Sequence, residues 1–243
     1  MGVSCLRGVH VRLSESLKRF GDHRLEPLGS RATSAAVAPG ILFYPSSRKE
    51  RMNARQQLRA QCRSARRALP MPERRAASEA ICRRLRASPF YWSARRIAFF
   101  WPMGPEVDLL ALLHSALRHG KLCYLPVMRR DGGLCFVRFR EGDPIVPNAQ
   151  RIPEPRFRPQ DELPATQLDL VCMPLAGFDR TGTRLGMGGG YYDRAFSFRL
   201  HPHNRKPRLV GVAFACQELP SIPREAWDVP LEALVTEREI LSF

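Results

Sequence analysis

Residues 177–194 read GFDRTGTRLGMGGGYYDR. Four glycines, Gly186, Gly188, Gly189 and Gly190, fall within five positions and lead directly into Tyr191, Tyr192 and Asp193. An apolar run, LDLVCMP at 168–174, stands just before them. The order is buried strand, sharp turn, glycine-rich loop, helix start. Such a loop lets backbone N–H groups converge on an anion, with a helix N-terminus behind it. Arg184 is placed to neutralise a phosphate, and Asp193 to hold a magnesium ion that bridges phosphate oxygens. The run is not a P-loop, because no Gly-Lys-Ser/Thr follows, and GMGGG lacks the dinucleotide GxGxxG spacing. A tight turn needing φ > 0, followed by core tyrosines and a dipole-favoured acid, would read the same way.

The elements that position this loop follow from periodicity. From Asn53 to about Ala68, Leu58, Cys62, Ala65 and Leu69 recur at i, i+4, i+7 and i+11, one stripe of a helix. Pro72 suits the first turn of a second helix striped by Ala77, Ile81 and Leu85. A buried strand is expected over Ile97–Trp101, a helix over Val107–His119 closed by Gly120, and strands over Leu122–Val127 and Leu134–Phe139 around the turn Asp131–Gly133. Residues 141–167 are proline-rich and read as a surface loop. Further strands are expected at Leu168–Met173, Leu209–Phe214 and Ala233–Thr236. Near-continuous apolar strands separated by helices predict an α/β fold, a Rossmann-like three-layer sandwich whose mostly parallel central sheet is covered by helices on both faces. Ligands in such sheets bind at the C-terminal strand ends. The glycine loop and Glu106, just beyond Trp101, fall there.

Residues 1–51 are rich in Arg, Ser, Gly, Pro and Ala and lack either period. They read as a disordered or non-native leader, with a faint likeness to a transit peptide, before a single catalytic domain at 52–243 and with Met52 as the expected start.

Composition narrows the function classes. No apolar run approaches the roughly 18 residues of a membrane span, so no membrane partner and a cytoplasmic location are expected. The seven cysteines are scattered without a CxxC, as expected of buried free thiols rather than disulfides or zinc. The net charge of +16 raises the question of nucleic acid. Residues 52–100 hold twelve arginines and two acids. An RNA-binding module on this helix is the rival reading, but such modules interleave aromatics with basic residues. None stands between Met52 and Pro89, so no specific nucleic-acid partner is expected. A third reading is another α/β phosphate-binding enzyme, such as a sugar-phosphate isomerase.

The run GFDRTGTRLGMGGGYYD resembles the signature of the 5-formyltetrahydrofolate cyclo-ligase (methenyltetrahydrofolate synthetase) family. RQQLRAQCRSARRAL at 55–69 resembles the family's first helix, FFWPMGPEVD at 99–108 its substrate loop, and 209–237 its C-terminal segment. The resemblance covers about residues 52–241. It implies an ATP- and Mg2+-dependent enzyme that closes 5-formyltetrahydrofolate to 5,10-methenyltetrahydrofolate through a phosphorylated, imidate-like formyl group; a monomer is expected. Carried over, it puts Arg55 and Arg59 against the ATP phosphates, with Arg184 and the loop from Leu185 through Gly186, Met187, Gly188, Gly189 and Gly190 to Tyr191 and Tyr192 around the nucleotide. It makes Asp193 and Asp228 magnesium ligands. Trp101, Met103, Glu106, Gly188–Gly190, Tyr191 and Tyr192 contact the folate, and Tyr192 and Arg184 are the catalytic candidates. Where some relatives carry a lysine in the signature, this chain has GGG.

Overall fold

Ser47 opens the first helix of the computed structural model, which describes residues 47–201 and 203–243. The expected leader lies outside these residues up to position 46. The Ser47 hydroxyl accepts the Glu50 N–H, and the Glu50 carboxylate accepts the Ser47 N–H, a reciprocal capping box. Helix α1 (Arg48–Ala68) therefore starts four residues before Met52.

The inward face of α1 differs from the expected apolar stripe. Arg55, Cys62 and Arg66 are buried and Arg59 is half-buried, again i, i+4, i+7 and i+11 but rotated about the axis. Only Cys62 is common to both stripes. Buried guanidinium is tolerated only with partners. Each of these arginines has one supplied by a distant segment, which hydrophobic periodicity does not register.

Helices α2 (Met71–Ala87), α3 (Pro89–Ser93) and α4 (Leu110–Arg118) follow, with strand β1 (Arg96–Ala98) between the last two. Gly120 takes φ +71 just beyond α4, as its C-terminal position requires. Then come β2 (Leu122–Met128) and β3 (Leu134–Phe139). The proline-rich run is more ordered than expected. It forms the short strands β4 (Ile145–Pro147), β5 (Pro153–Pro155) and β6 (Glu162–Leu163). After β7 (Leu170–Pro174), the chain makes a small hairpin, β8 (Gly177–Phe178) and β9 (Arg184–Leu185), which leads into the glycine loop and α5 (Tyr191–Ala195). Strands β10 (Arg208–Val212), β11 (Ala233–Val235) and β12 (Ile240–Ser242) complete the chain.

Among the described residues an eight-stranded sheet runs in the order β12-β11-β10-β7-β1-β2-β3-β6. The central strands β11, β10, β7, β1 and β2 are parallel, and β12, β3 and β6 add antiparallel edges. Alternate residues feed two cores. Ile97, Phe99, Cys123, Leu125 and Cys172 face α2, α3 and α4. Ala98, Tyr124, Val171 and Met173 face Phe178, Tyr192 and Phe196 on the other side. Burial on both faces is why these strands read as continuous apolar runs. From β1 the chain proceeds through α4 to β2 on one side, while β7 and β10 build out on the other. The strand order thus reverses between β1 and β7, and the carboxyl ends there leave a crevice.

Candidate functional site

Two hollows open at this crevice, one on either side of the glycine loop. The wider cleft, about 590 Å³, lies between α1 and the loop. Arg48, Arg55 and Arg59 line it on one side, Gly188 on another, and Trp227 and Asp228 close it. The narrower pocket, about 240 Å³, lies over the ends of β1, β2 and β7. Trp101, Met103, Glu106, Pro126 and Pro174 form much of its wall, with Tyr191 and Tyr192 facing them. Gly186, Gly190 and Asp193 line both. The partition is therefore largely backbone.

The loop conformation explains its glycines. Gly188 has φ +118 and Gly190 φ +64, values that L side chains avoid. Gly189 has an ordinary φ, but a Cβ there would stand 2.5 Å from the Tyr191 ring. Two arginines brace the loop through its carbonyls. Arg59 Nε donates to Gly186 O at 2.8 Å. Arg194 donates to Gly189 O at 2.8 Å and to Gly132 O, in the β2–β3 turn, at 3.0 Å. Among the described residues the N–H groups of Gly188, Gly189 and Gly190 have no acceptor, which leaves them for an anion.

On the wider cleft, Arg55 donates to both oxygens of Asp228, at 2.5 and 3.0 Å, and to Pro223 O at 2.8 Å. Asp228 Oδ2 also accepts the Glu225 N–H at 2.8 Å. Burial, together with the charges of Arg55 and Arg63, pulls the Arg59 guanidinium below its ordinary range. In the cleft lining Arg48, Arg55, Arg59 and Arg194 outnumber Asp193, Glu225 and Asp228, an excess of positive charge that suits polyphosphate.

Arg184 is buried and pairs with Asp193, whose Oδ1 also accepts the Val229 N–H at 3.2 Å. Its Nε is buried with no partner among the described residues. Burial pulls the Arg184 guanidinium below its ordinary range, against the charges of Asp193 and Asp228. Arg184 lines the narrower pocket rather than the cleft, so it approaches the shared wall from behind the loop.

In the narrower pocket, Glu106 Oε2 accepts the Met103 N–H at 3.1 Å, and Oε1 lies 3.7 Å from Arg66. Burial raises the Glu106 carboxyl above the usual range, against the pull of the Met103 N–H and Arg66. Burial and the Glu106 charge push the Tyr192 phenol up, so it keeps its proton at neutral pH. The Tyr191 ring carries the Arg194 guanidinium 5.0 Å from its centre.

The residues expected around the nucleotide divide between the two hollows. Gly188 faces only the wider cleft; Met187, Gly189, Tyr191 and Tyr192 face only the pocket. Leu185 faces neither. It is fully buried against Cys62, Ala176 and Leu219, because β9 turns its side chain into the core beneath α1.

Three residues went unremarked in the sequence or were misread. Trp227, beside Asp228, is 52% exposed at the cleft mouth with Arg48 over its ring. Arg66 carries no signal beyond its place on a basic helix. Glu154, between two prolines, sits in what reads as a surface loop, yet it is buried in the pocket wall.

Among the described residues, no group of three or more His, Cys, Asp or Glu side chains is arranged to hold a metal. The donor set suits an ion that takes one carboxylate and completes its shell with phosphate and water, as magnesium does. Asp193 Oδ2 accepts no hydrogen bond among the described residues, whereas both oxygens of Asp228 are engaged by Arg55. The cysteines among the described residues are free thiols, and burial drives them away from reactivity, Cys82 to about 11 and Cys123 to about 12. Among the described residues no helix is long and apolar enough to cross a membrane.

Comparison with known proteins gives a consistent set of relatives. The 5-formyltetrahydrofolate cyclo-ligase family profile matches residues 51–237. The 5-formyltetrahydrofolate cyclo-ligase of Escherichia coli K12 is 36% identical over 183 residues, covering 74% of this chain and 99% of that protein. The Haemophilus influenzae protein of the same name is 34% identical, covering 73% and 94%. The solution structure of Aquifex aeolicus 5,10-methenyltetrahydrofolate synthetase superposes with a TM-score of 0.67 at 30% identity, over 77% of this chain and 92% of that one.

Proposed function

The chain belongs to the 5-formyltetrahydrofolate cyclo-ligase family, and from that premise we propose that it closes 5-formyltetrahydrofolate to 5,10-methenyltetrahydrofolate with ATP as co-substrate. It is a ligase, and the observation that carries the detailed reading is the shared wall. Two hollows of unlike character, one rimmed by arginines and one largely apolar, meet at Gly186, Gly190 and Asp193. A transfer between two bound ligands needs such a junction.

In this reading the triphosphate occupies the wider cleft. Arg59 and the N–H groups of the glycine loop receive its charge, and Arg55 is fixed beside them by Asp228. The folate head occupies the pocket against Trp101 and Met103. The formyl oxygen attacks the γ-phosphorus, the bond to ADP breaks, and the formyl carbon acquires a phosphate leaving group. Nitrogen-10 then attacks that carbon and gives up its proton, the carbon–oxygen bond breaks, and inorganic phosphate departs. An amide oxygen leaves poorly; its phosphate leaves well.

The protein supplies alignment and countercharge. Arg184 reaches the shared wall from the folate side and balances charge developing on the transferred group. Tyr192, held protonated, donates a hydrogen bond beside the reacting atoms. Magnesium, when bound, would neutralise phosphate charge. Asp193 is the residue whose free oxygen suits it, while Asp228 would have to yield its contacts with Arg55 to join. Residues 52–243 would carry the activity, with the leader dispensable.

The test is growth of methenyl-folate absorbance when purified protein meets 5-formyltetrahydrofolate, with and without ATP and magnesium. ATP-dependent growth is expected, and no turnover with both present would defeat the proposal.

A further inference from the structure

The narrower pocket contains three acids, and their partners differ. Glu106 faces Arg66, and Asp193 faces Arg184. Glu154 has no ion pair among the described residues. It is 7% exposed, and its Oε1 accepts the Met128 N–H at 2.9 Å and the Asn148 side-chain amide at 2.7 Å. Among the described residues its Oε2 accepts no hydrogen bond, and it is not one of the sealed, unpartnered polar atoms. Glu154 lines a mostly apolar pocket, and a carboxylate fixed there by one oxygen is costly unless a ligand supplies donors to the other.

On the reading proposed above, the ligand is a reduced pterin. Its pyrimidine ring presents N3–H and the 2-amino group side by side, a guanidine-like edge that matches a carboxylate. Its N5, which carries the formyl group, lies on the opposite ring. Glu154 lines the pocket but not the cleft. An edge held at Glu154 turns N5 away from that carboxylate and into the pocket, whose other lining includes the shared Gly186, Gly190 and Asp193. The alternative anchor, Glu106, is already matched by Arg66 and the Met103 N–H. We propose that Glu154 is the specificity-determining residue for the pterin, reading its N3–H/2-amino edge and setting which end of the folate faces the nucleotide.

This assignment rests on the folate reading, and the test separates the two. Wild type and Glu154→Gln, as full chains, are assayed with 5-formyltetrahydrofolate and with an analogue whose 2-amino group is replaced by methyl. Gln keeps an oxygen for Met128 N–H and Asn148 but sets an N–H against the donor edge. The KM for 5-formyltetrahydrofolate is expected to rise roughly 10- to 100-fold in the variant, the loss of a charged hydrogen bond, while the KM for ATP stays put. Wild type is expected to disfavour the analogue by a similar factor, and the variant to lose that discrimination. A folded Glu154→Gln with unchanged folate KM and discrimination overturns the assignment and leaves the activity standing. If the variant does not fold, the wild-type comparison decides, and equal use of both substrates overturns it. Absence of wild-type turnover defeats the activity and the assignment with it.

Discussion

Arg55 and Asp228, 173 residues apart in the chain, meet in a two-pronged ion pair at 2.5 and 3.0 Å that ties α1 to the turn at 225–228. Both side chains are less than a tenth exposed. Breaking a buried pair by removing one partner leaves the other charge uncompensated, at about 3–5 kcal/mol. Asp228→Ala is therefore expected to lower the unfolding free energy by that amount, seen as a lower urea midpoint at unchanged m, and to raise the KM for ATP. Arg55→Lys keeps the charge but loses the fork and is expected to do less of both. An Asp228→Ala protein with unchanged midpoint would remove the pair from the stability of the fold.

The glycine loop makes an asymmetric prediction. Gly188 faces the wider cleft at φ +118, whereas a Cβ on Gly189 would collide with the Tyr191 ring in the pocket. Gly188→Ala is expected to strain the loop by about 1–3 kcal/mol and to raise the KM for ATP first. Gly189→Ala is expected to displace Tyr191 and raise the KM for the folate first. Equal effects of both substitutions on both constants would show that the loop answers as one unit.

Arg66 makes a pH prediction. Burial holds Glu106 above the usual carboxylate range, and Arg66 opposes that rise, while the other charge-bearing neighbour, Tyr192, is held neutral. Arg66→Met is expected to raise Glu106 further, so the acid limb of kcat/KM moves to higher pH. The stability sign follows from the same shift. A carboxyl raised on folding favours the fold when protonated, a contribution present below its unfolded value and lost as pH rises through the folded one. The variant is thus expected to be weakest at neutral pH and to recover toward wild type in acid. Urea midpoints and rate profiles across pH check both, and an unmoved acid limb would detach Arg66 from Glu106.

The start of the domain is testable by truncation. A chain beginning at Met52 loses the Ser47–Glu50 capping box and the Arg51–Glu225 pair at 3.0 Å. Relative to a chain beginning at Ser46, it is expected to lose about 1–2 kcal/mol while keeping the folate KM. Equal thermal stability of the two would show that the first turn of α1 is dispensable.

Much of the fold is legible in local pattern. The paired runs at 97–101 and 168–174 announce strands buried on both faces, and β1 and β7 are neighbours at the centre of the sheet. Gly120 closes α4 as its position predicts. The antiparallel edge at β12 and the hairpin of β8 and β9 are not legible, because pieces of two or three residues show no period. The α1 face is misread for a different reason. Periodicity counts apolar residues, but Arg55, Arg59 and Arg66 are drawn inward by Asp228, Gly186 O and Glu106, all far away in the chain.

By itself the sequence determined the chemistry available: a glycine loop that only glycine can form, arginines on one helix, and acids at the strand ends. Those are properties of single residues and short spacings. The tertiary structure decided the division of labour. It set Gly188 and Gly189 on opposite sides of one wall, sank Leu185 into the core, brought Trp227 out to the cleft mouth and carried Glu154 from a proline-rich run into the pocket. Each outcome depends on which distant surface a residue meets once the sheet closes its core. Contacts of that kind are fixed by packing and desolvation across the chain, and they leave no local period behind.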